Sequence, residues 1–417
     1  MKFPSLPHGF TKLFPTRFRR WVPAFLIGIV VIALAGFAVL HFHPSFPDIA
    51  TMGPHPEVQE LSAARFSFQE YETYFRTLSE KKGALYAFDV LRKASFPPGV
   101  DLHLIAHVVG DMLYKEKGIS AMKYCTDEFR NACSHSVVIA ILQQHGEGSL
   151  PQIAEQCKQA PGGKGAYTMC FHGLGHGVLA YTGYDLEKAV AMCKKVGTAE
   201  YHDREYVECV GGTIMEMIAG VHDPVAWAKQ KDNYFKTSDP LYPCTASFIP
   251  DEAKGMCITY LTPHLFTSAG MNLGDPDPTL FGKAFSYCKP LTDKQLRATC
   301  FAGFGKEFTV IAAGKDIRNV GQLPTDRLAK VREWCASAKD PAGESACDGA
   351  ALSSLFWGGE NEPTASLAFC ALAPEGPLAQ DCYFQLADQI RYYSANAAKA
   401  ASVCALLPEK YRARCSP

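Results

Sequence analysis

The sixteen cysteines of this 417-residue chain constrain its fold more than any other feature. In sequence order they form eight consecutive couples. The first members of successive couples lie 32, 36, 51, 44, 47, 35 and 34 residues apart, a period typical of two-helix repeats. The couples are Cys125/Cys133, Cys157/Cys170, Cys193/Cys209, Cys244/Cys257, Cys288/Cys300, Cys335/Cys347, Cys370/Cys382 and Cys404/Cys415.

The residues around each couple predict a helical hairpin. A helical stretch precedes the first cysteine, as in 185–193, and a segment that opens with small residues follows the second, as in 209–218. We therefore expect the last turn of one helix to be linked to the first turn of the next. Sequence alone does not fix the connectivity, but pairing within couples closes the shortest loops. The predicted fold is an all-α, membrane-anchored solenoid of about eight disulfide-stapled hairpins.

The number and spacing of the cysteines also indicate the compartment. An even number suits disulfides and therefore an oxidising environment. No C-x-x-C pair occurs, so zinc ribbons, c-type haem attachment and thioredoxin chemistry lack their signature.

The N-terminal region predicts a membrane anchor. Residues 21–40 are uncharged and mostly apolar, about 30 Å as a helix, and the upstream residues carry five basic and no acidic side chains. The positive-inside rule then predicts a cytoplasmic tail at 1–20, a single transmembrane helix at 21–41 and a spacer at 42–56. The bulk would be periplasmic or extracellular, at the cell membrane. A cleavable signal ending near Ala33–Ala35 remains an alternative.

The rest of the chain divides into two predicted parts. Residues 57–117 form a cysteine-free helical segment that contains a histidine pair, and residues 118–417 form the cysteine-stapled repeats. Stretches 230–243 and 266–282 are rich in Asp, Pro and Gly and are predicted to be loop insertions. The net charge of −1, without a long basic run after the first twenty residues, argues against nucleic acid as a partner.

Five of the thirteen histidines follow a pattern that suggests a common site. His103 and His107 lie one helical turn apart, with Asp111 a further turn along. His135 and His172 each stand two residues after the second cysteine of a couple, and His176 is one turn beyond His172. Because equivalent positions of stacked repeats line one surface, we expect these imidazoles to converge.

Clustered neutral imidazoles beside carboxylates are a usual way to hold a transition metal. We predict a site for zinc or iron, with copper as a further choice. Asp111 and Glu216, which lies seven residues after Cys209, are candidates for a further ligand, an orienting group or a catalytic base. Glu307 is predicted to be a satisfied polar residue. The remaining candidates lack a partner at helical spacing and are predicted to be surface or loop residues: His145, His202, His222 and His264.

One repeat resembles a known family. Residues 184–190 are similar to the D-x-E-K-A run of Sel1-like repeats, relatives of tetratricopeptide repeats with secreted, disulfide-bridged members. The resemblance covers one repeat of eight. It implies a helical-repeat architecture with a protein partner on the concave face.

Two classes of function remain open at this stage. One is a metal-dependent hydrolase or oxidoreductase, and helical-repeat deoxyhypusine hydroxylases with a di-iron centre offer a fold-level analogy without a shared motif. The other is a non-enzymatic scaffold that binds an envelope protein partner. The run Gly173-Leu-Gly-His-Gly177 offers a third use, an anion cradle at a helix N-terminus. No G-x-S-x-G, Walker A or H-E-x-x-H motif occurs.

Overall fold

A computed structural model describes residues 54–415 except 98, 161, 237, 273–274, 359–360 and 395. The regular structure of these residues is helical, and the only strand-like features among them are two isolated bridges. His55–Pro417 form one compact unit. The predicted tail and transmembrane helix, and the spacer as far as residue 53, lie outside the described residues. Among the helices that are described, none has the length and apolar character needed to cross a membrane.

In the part of the chain that the structure describes, four α-helices precede the first disulfide. They are α1 (Pro56–Ala63), α2 (Phe68–Lys82), α3 (Ala84–Lys93) and α4 (Leu102–Lys117). The side chain of Asp101 accepts a hydrogen bond from the backbone amide of Leu104 at 3.1 Å, which fixes the start of α4.

The disulfide-linked region alternates short and long helices. The long ones are α5 (Glu128–His145), α7 (Gly163–Tyr181), α9 (Arg204–Ala219), α11 (Asp251–Ala269), α13 (Lys294–Ala312), α15 (Pro341–Phe356) and α17 (Pro377–Tyr393). The shorter ones are α6 (Leu150–Cys157), α8 (Leu186–Cys193), α10 (Pro224–Tyr234), α12 (Phe281–Ser286), α14 (Thr325–Ala336), α16 (Thr364–Ala371), α18 (Ala397–Cys404) and α19 (Glu409–Cys415). Five 3₁₀ turns complete the description: Gly118–Tyr124, Glu147–Ser149, Lys194–Val196, Pro278–Leu280 and Ile317–Gln322.

The disulfides follow the predicted sequential scheme, which is confirmed for all eight couples. All sixteen cysteines are therefore paired. The Cα atoms of the bridged residues lie between 5.3 and 5.7 Å apart, within the normal range for a disulfide. The bridges are Cys125–Cys133, Cys157–Cys170, Cys193–Cys209, Cys244–Cys257, Cys288–Cys300, Cys335–Cys347, Cys370–Cys382 and Cys404–Cys415.

The predicted position of the second cysteine, in the first turn of its helix, is wrong. Cys170, Cys257 and Cys382 show the difference, because each lies beyond the first turn of α7, α11 and α17, which begin at Gly163, Asp251 and Pro377. The same displacement occurs for the other second cysteines: Cys133, Cys209, Cys300, Cys347 and Cys415. Each of the first seven bridges therefore holds its long helix by an interior turn and leaves the first turn ahead of the disulfide, whereas Cys415 is the last residue of the short helix α19.

The residues at the helix starts explain this displacement. Asp293 and Asp340 cap α13 and α15, because their side chains accept from backbone amides three residues on, at 2.8 and 2.9 Å. Helices α15 and α17 begin with proline, whose fixed φ suits the first helical position. These signals precede the small residues from which the sequence analysis placed the helix starts, so the helices begin earlier.

The predicted loop insertions also begin later than expected. Helix α10 continues to Tyr234 because Asp223 caps its first turn by accepting from the amides of Val225 and Ala226. Helix α11 continues to Ala269 and ends at Gly270, whose φ of 99° lies in the left-handed region that glycine tolerates. The irregular segments are therefore shorter than 230–243 and 266–282.

Glycines let the successive long helices touch backbone to backbone. Each long helix from α4 to α15 packs on the next long helix in the chain. A Cβ atom on Gly175 would lie 2.0 Å from the carbonyl oxygen of Cys209, and one on Gly212 would lie 1.9 Å from that of His172. Gly305 meets the carbonyl oxygen of Cys347 in the same way. This close approach brings imidazoles on neighbouring helices within reach of one another.

Contacts between residues far apart in sequence join the region between α3 and α4 to the turn that follows α13. Arg318 Nη1 donates to the carbonyl oxygens of Leu91, Arg92 and Ala94 at 3.2, 3.2 and 2.7 Å. The amide of Gly99 donates to the carbonyl of Gly314 at 2.9 Å. Because of these contacts, α4, α5, α7, α9, α11 and α13 contribute side chains to one interior cavity.

Candidate metal centre

Six histidines lie together in a cluster, called the centre below. Five of them are the residues predicted from the sequence. Helix α4 carries His103 and His107, α5 carries His135, α7 carries His172 and His176, and His222 follows the end of α9. The first five are at most 8% exposed. Ring centroids of neighbours are 4.7 Å apart for His103 and His107, 5.8 Å for His135 and His172, and 6.0 Å for His176 and His222.

The hydrogen bonds of His103 and His107 determine which ring nitrogens carry protons. His103 Nδ1 lies 2.7 Å from the carbonyl oxygen of Phe129, which can only accept. His107 Nδ1 lies 3.2 Å from the hydroxyl of Ser136, and that hydroxyl donates to the His107 carbonyl oxygen at 2.8 Å. Both imidazoles therefore carry their proton on Nδ1 when neutral, and both Nε2 atoms present a lone pair.

The two Nε2 atoms face each other at 3.2 Å. With neither nitrogen protonated, this contact sets lone pair against lone pair in a buried environment, which is repulsive unless a cation lies between them. Two imidazole nitrogens bound to one ion at about 2.0–2.1 Å in a tetrahedral arrangement lie about 3.3 Å apart. The observed separation therefore fits a shared metal ion.

His135 completes a first group of three ligands. One nitrogen from each of His103, His107 and His135 lies within 4.8 Å of the others. Both ring nitrogens of His135 are buried without a hydrogen-bond partner, although the Met169 backbone lies close enough to influence its pKa. A buried polar group without a partner is unfavourable, so His135 has ligand capacity to spare.

Glu216 orients a second group. His176 Nδ1 and His222 Nδ1 both donate to Glu216 Oε2, at 3.1 and 2.7 Å. The Tyr184 hydroxyl and the His222 backbone amide donate to Oε1. Because Nδ1 carries the proton when either histidine is neutral, Nε2 is then left as a lone-pair donor, and that of His176 is buried without a partner. A carboxylate that fixes the tautomer of metal-binding histidines is common next to metal sites.

The charge on Glu216 is permanent at any ordinary pH. Burial disfavours that charge, but His222 and His176 together hold the pKa of Glu216 far below its usual range. Burial likewise opposes the charge of His222, yet Glu216 and Asp111 outweigh it and raise the pKa of His222 above 6.5. The prediction that Glu216 serves the histidine site is consistent with this geometry, in an orienting position.

The other imidazoles are held neutral. Burial lowers the pKa of His103 to about 4 and those of His107, His135 and His172 well below 6.5, and neighbouring imidazoles add to the effect. Burial also lowers the pKa of His176, partly offset by Glu216. A neutral imidazole is the form that binds a metal.

His172 lies beside a separate ion pair. Its ring stacks 4.5 Å from that of Tyr260, and its buried Nδ1 has no hydrogen-bond partner. Glu208 Oε2 lies 4.0 Å from this nitrogen, while Glu208 Oε1 is paired with Arg204 at 2.6 Å. His172 therefore continues the line of neighbouring imidazoles, called the row of imidazoles below, toward the interior cavity.

His222 was not predicted to belong to the centre. It was predicted to be a surface or loop residue, and it does lie in a loop, but its side chain is only 14% exposed and joins the centre. A search for helical spacing does not detect it. The available signal is the helix stop at Gly220, after which the chain turns back so that residue 222 reaches the carboxylate of residue 216.

The remaining predicted residues lie farther out. Asp111 is 39% exposed at its side chain and lies 3.8 Å from Arg76, on the side of the centre near His222. Glu307 is paired with Lys306, as expected for a satisfied polar residue. His145 and His202 are exposed, and His264 stacks on Phe235. The glycines of 173–177 are buried inside α7 against neighbouring helices, so the anion-cradle alternative is wrong.

A cavity of about 250 Å³ adjoins the centre. His103, His135 and His172 line one side of it, whereas His107, His176 and Asp111 do not. Its other walls are mostly apolar and include Met169, Met215, Ile218, Phe266 and Val310. The row of imidazoles therefore separates this cavity from the Asp111 side of the centre.

In comparisons with known proteins, no family model, no curated protein and no solved structure matches the chain.

Proposed function

We propose that the protein is a transition-metal oxidoreductase of the cell envelope, anchored in the membrane by one N-terminal helix, with an imidazole-rich metal centre. The observation that carries this proposal is the pair of opposed, unprotonated Nε2 atoms of His103 and His107 at 3.2 Å. A merely structural histidine would use its second nitrogen in a hydrogen bond.

Affinity favours copper among the candidate metals. Most of the available donors are imidazoles, because Glu216 already accepts four hydrogen bonds and Oε1 of Glu208 is paired with Arg204. Oε2 of Glu208 is buried without a partner, 4.0 Å from His172, and is a further possible donor. Imidazole suits copper, zinc, iron and nickel, and of the divalent first-row ions copper binds a given nitrogen site most tightly. We therefore propose copper, with zinc and iron as the alternatives that metal analysis distinguishes.

Redox chemistry fits the surroundings better than hydrolysis. A general base must lie within hydrogen-bond reach of the water that it activates. Glu216 is engaged by four donors, and neither Glu208, whose Oε2 is buried without a partner, nor Asp111 lines the cavity where a substrate would meet the metal. The two carboxylates that do line it are engaged, Glu307 with Lys306 and Asp101 with the Leu104 amide. The imidazole face on the cavity then leaves the metal as the reactive group, which supplies electron transfer when bound.

The surrounding architecture is proposed to be a solenoid of stapled hairpins. Successive long helices pack in chain order, and α5 and α7 carry histidines at equivalent positions, His135 and His172, as in a repeat array that builds one continuous surface. The centre would thus occupy the inner face.

Metal analysis tests the proposal. The full-length chain, purified without chelators, should carry or take up at least one equivalent of copper. The double substitution His103→Asn/His107→Asn should lower its affinity at least tenfold. The matched control is His145→Asn/His202→Asn, which alters two exposed histidines. Less than a tenth of an equivalent, with no uptake of copper, zinc or iron, would favour the alternative scaffold that binds an envelope protein. Stoichiometric binding of zinc alone would refute the oxidoreductase.

A second substitution tests the extent of the centre. His172→Ala/His176→Ala should abolish binding of at least one metal ion and preserve the helicity, because the disulfides and the other repeats persist. His202→Ala is the control. His222 cannot serve as one, since it belongs to the centre.

A further inference from the structure

The cavity beside the row of imidazoles has the properties of a binding site for a small organic anion. Its volume of about 250 Å³ equals the space of roughly eight water molecules and is smaller than the pockets that hold drug-sized ligands. Met169, Met215, Ile218 and Phe266 offer an apolar surface to such a ligand. An extended or strongly polar molecule would not fit these walls.

The charged groups of the cavity are arranged asymmetrically. Three basic residues line it, Arg130, Lys306 and Lys315, against two acidic ones, Asp101 and Glu307. Asp101 already caps α4, and Glu307 is paired with Lys306. Lys315 makes no ion pair with any residue in the described part of the chain. The net charge that the cavity walls offer to a ligand is therefore positive.

The chain places Lys315 at this cavity through an unusual backbone conformation. Its φ of 65° is left-handed, three residues after α13 ends at Ala312 and two before Ile317, which also lines the cavity. The same conformation occurs at the exposed Lys339, so the conformation positions the Lys315 side chain, and the case for a role rests on its place in the cavity wall.

From these observations we infer that the cavity binds a small amphipathic monoanion, an aromatic or short aliphatic carboxylate, with its carboxylate at Lys315 and its apolar part on the methionine and phenylalanine side. The ligand lies against His103, His135 and His172, so it is the substrate class of the proposed oxidoreductase. Calling this ligand a substrate rests on the proposed function, whereas its binding to the cavity does not require a metal.

Calorimetric titration of the metal-free, full-length protein tests the inference. Benzoate and phenylacetate are the probes, and benzamide and phenylacetamide are their neutral counterparts. We expect each carboxylate to bind at least tenfold more tightly than its amide. Lys315→Gln should remove most of this preference. Lys339→Gln is the matched control, because Lys339 is also a left-handed residue after a helix end, is exposed, and does not line the cavity.

A second variant tests the location of the ligand. Met215→Trp places a large side chain in the cavity and should weaken carboxylate and amide alike, with unchanged far-ultraviolet circular dichroism. Equal affinity for acids and amides, no binding of either, or full binding in Met215→Trp would each overturn the inference. Its failure is distinguishable from that of the metal proposal: ligand binding without any metal uptake sinks only the metal centre, and metal uptake without ligand binding sinks only the anion site.

Discussion

The role of Glu216 rests on how many donors it satisfies. It accepts from Tyr184, from the backbone amide of His222 and from Nδ1 of both His176 and His222. One carboxylate thereby fixes two imidazoles in the tautomer that offers Nε2. An amide could not do so, because its nitrogen would donate where these groups also donate.

Glu216→Gln should therefore lower metal affinity about 10- to 100-fold, as substitutions of groups that orient metal ligands commonly do. Tyr184→Phe should have a smaller effect, because it removes one of four donors. Competition titration against a chromophoric chelator measures both. Glu155→Gln is the control, since Glu155 is exposed, pairs with Lys158 and belongs to neither histidine group. Unchanged affinity in Glu216→Gln would show that the carboxylate does not orient ligands.

The buried imidazoles also predict how the stability of the metal-free protein depends on pH. His103 has a folded pKa of about 4 against 6.5 in the unfolded chain, so below pH 6.5 the unfolded state binds more protons. The free energy of unfolding should then fall as the pH drops, by about 2 kcal/mol between pH 7 and 5 from His103 alone. His107, His135 and His172 act in the same direction. His222, with its raised pKa, acts in the opposite one.

Denaturant unfolding of the metal-free protein at pH 7, 6 and 5 measures this dependence. The variant His103→Asn should show a shallower decline, and His145→Asn should match the unsubstituted chain. The comparison with His103→Asn is the criterion, because burial raises the pKa values of Asp111 and Asp348 to about 6 and these two groups oppose the imidazoles in the total slope. A decline in His103→Asn as steep as in the unsubstituted chain would mean that His103 is not held neutral.

Most of the residues of the centre could be predicted from the sequence, because helical spacing and repeat position are local properties. His103, His107, His135, His172 and His176 each stand at a position that one of these two rules identifies. The loop residue at 222 follows neither rule. Which carboxylate orients the histidines also depends on the third dimension, because the donors to it come from three separate parts of the chain.

At the scale of the elements, the disulfide pairing was predictable because each couple closes a short loop. The starts of the long helices were not, which is why Cys170, Cys257 and Cys382 lie deeper in their helices than predicted. Capping side chains such as Asp293 begin a helix ahead of the small residues that the prediction used. The cysteine spacing therefore predicts topology better than it predicts helix boundaries.

Close contact between helices predicts the effect of a single added methyl group. Gly175→Ala would place a Cβ atom 2.0 Å from the carbonyl oxygen of Cys209, so α7 and α9 must separate. We expect a loss of about 1–3 kcal/mol in the free energy of unfolding and weaker metal binding, because His172 and His176 move with α7. Chemical denaturation and metal titration measure the two effects.

The control for this substitution is Gly148→Ala. No atom lies within 4 Å of its Cβ position, and it has no left-handed φ, so the free energy of unfolding should change by less than about 0.5 kcal/mol. If Gly175→Ala were equally silent in stability and metal binding, the close approach of α7 and α9 would not be what holds the centre together.

At the scale of the whole molecule, the contacts between distant parts of the chain had no signal in the sequence. A repeat pattern describes how each hairpin meets the next, whereas Arg318 meets the end of α3 across more than two hundred residues. Such a contact depends on the three-dimensional packing of distant segments and not on local spacing. It is nevertheless what brings Lys315 and Ile317 to the cavity that His103 also lines.

Arg318→Ala should destabilise both of the segments that Arg318 joins, the end of α3 and the turn after α13. The guanidinium donates to three carbonyl oxygens and is paired with Asp316 at 2.7 Å, so its loss should cost about 1–3 kcal/mol. Because the disulfides and neighbouring hairpins persist, we expect faster hydrogen exchange at both 91–97 and 314–323, with little change at 377–393. Arg327→Ala, an exposed residue of α14, is the control. Faster exchange at 314–323 alone would show that Arg318 stabilises only its own turn. The two segments would then be held together by other contacts.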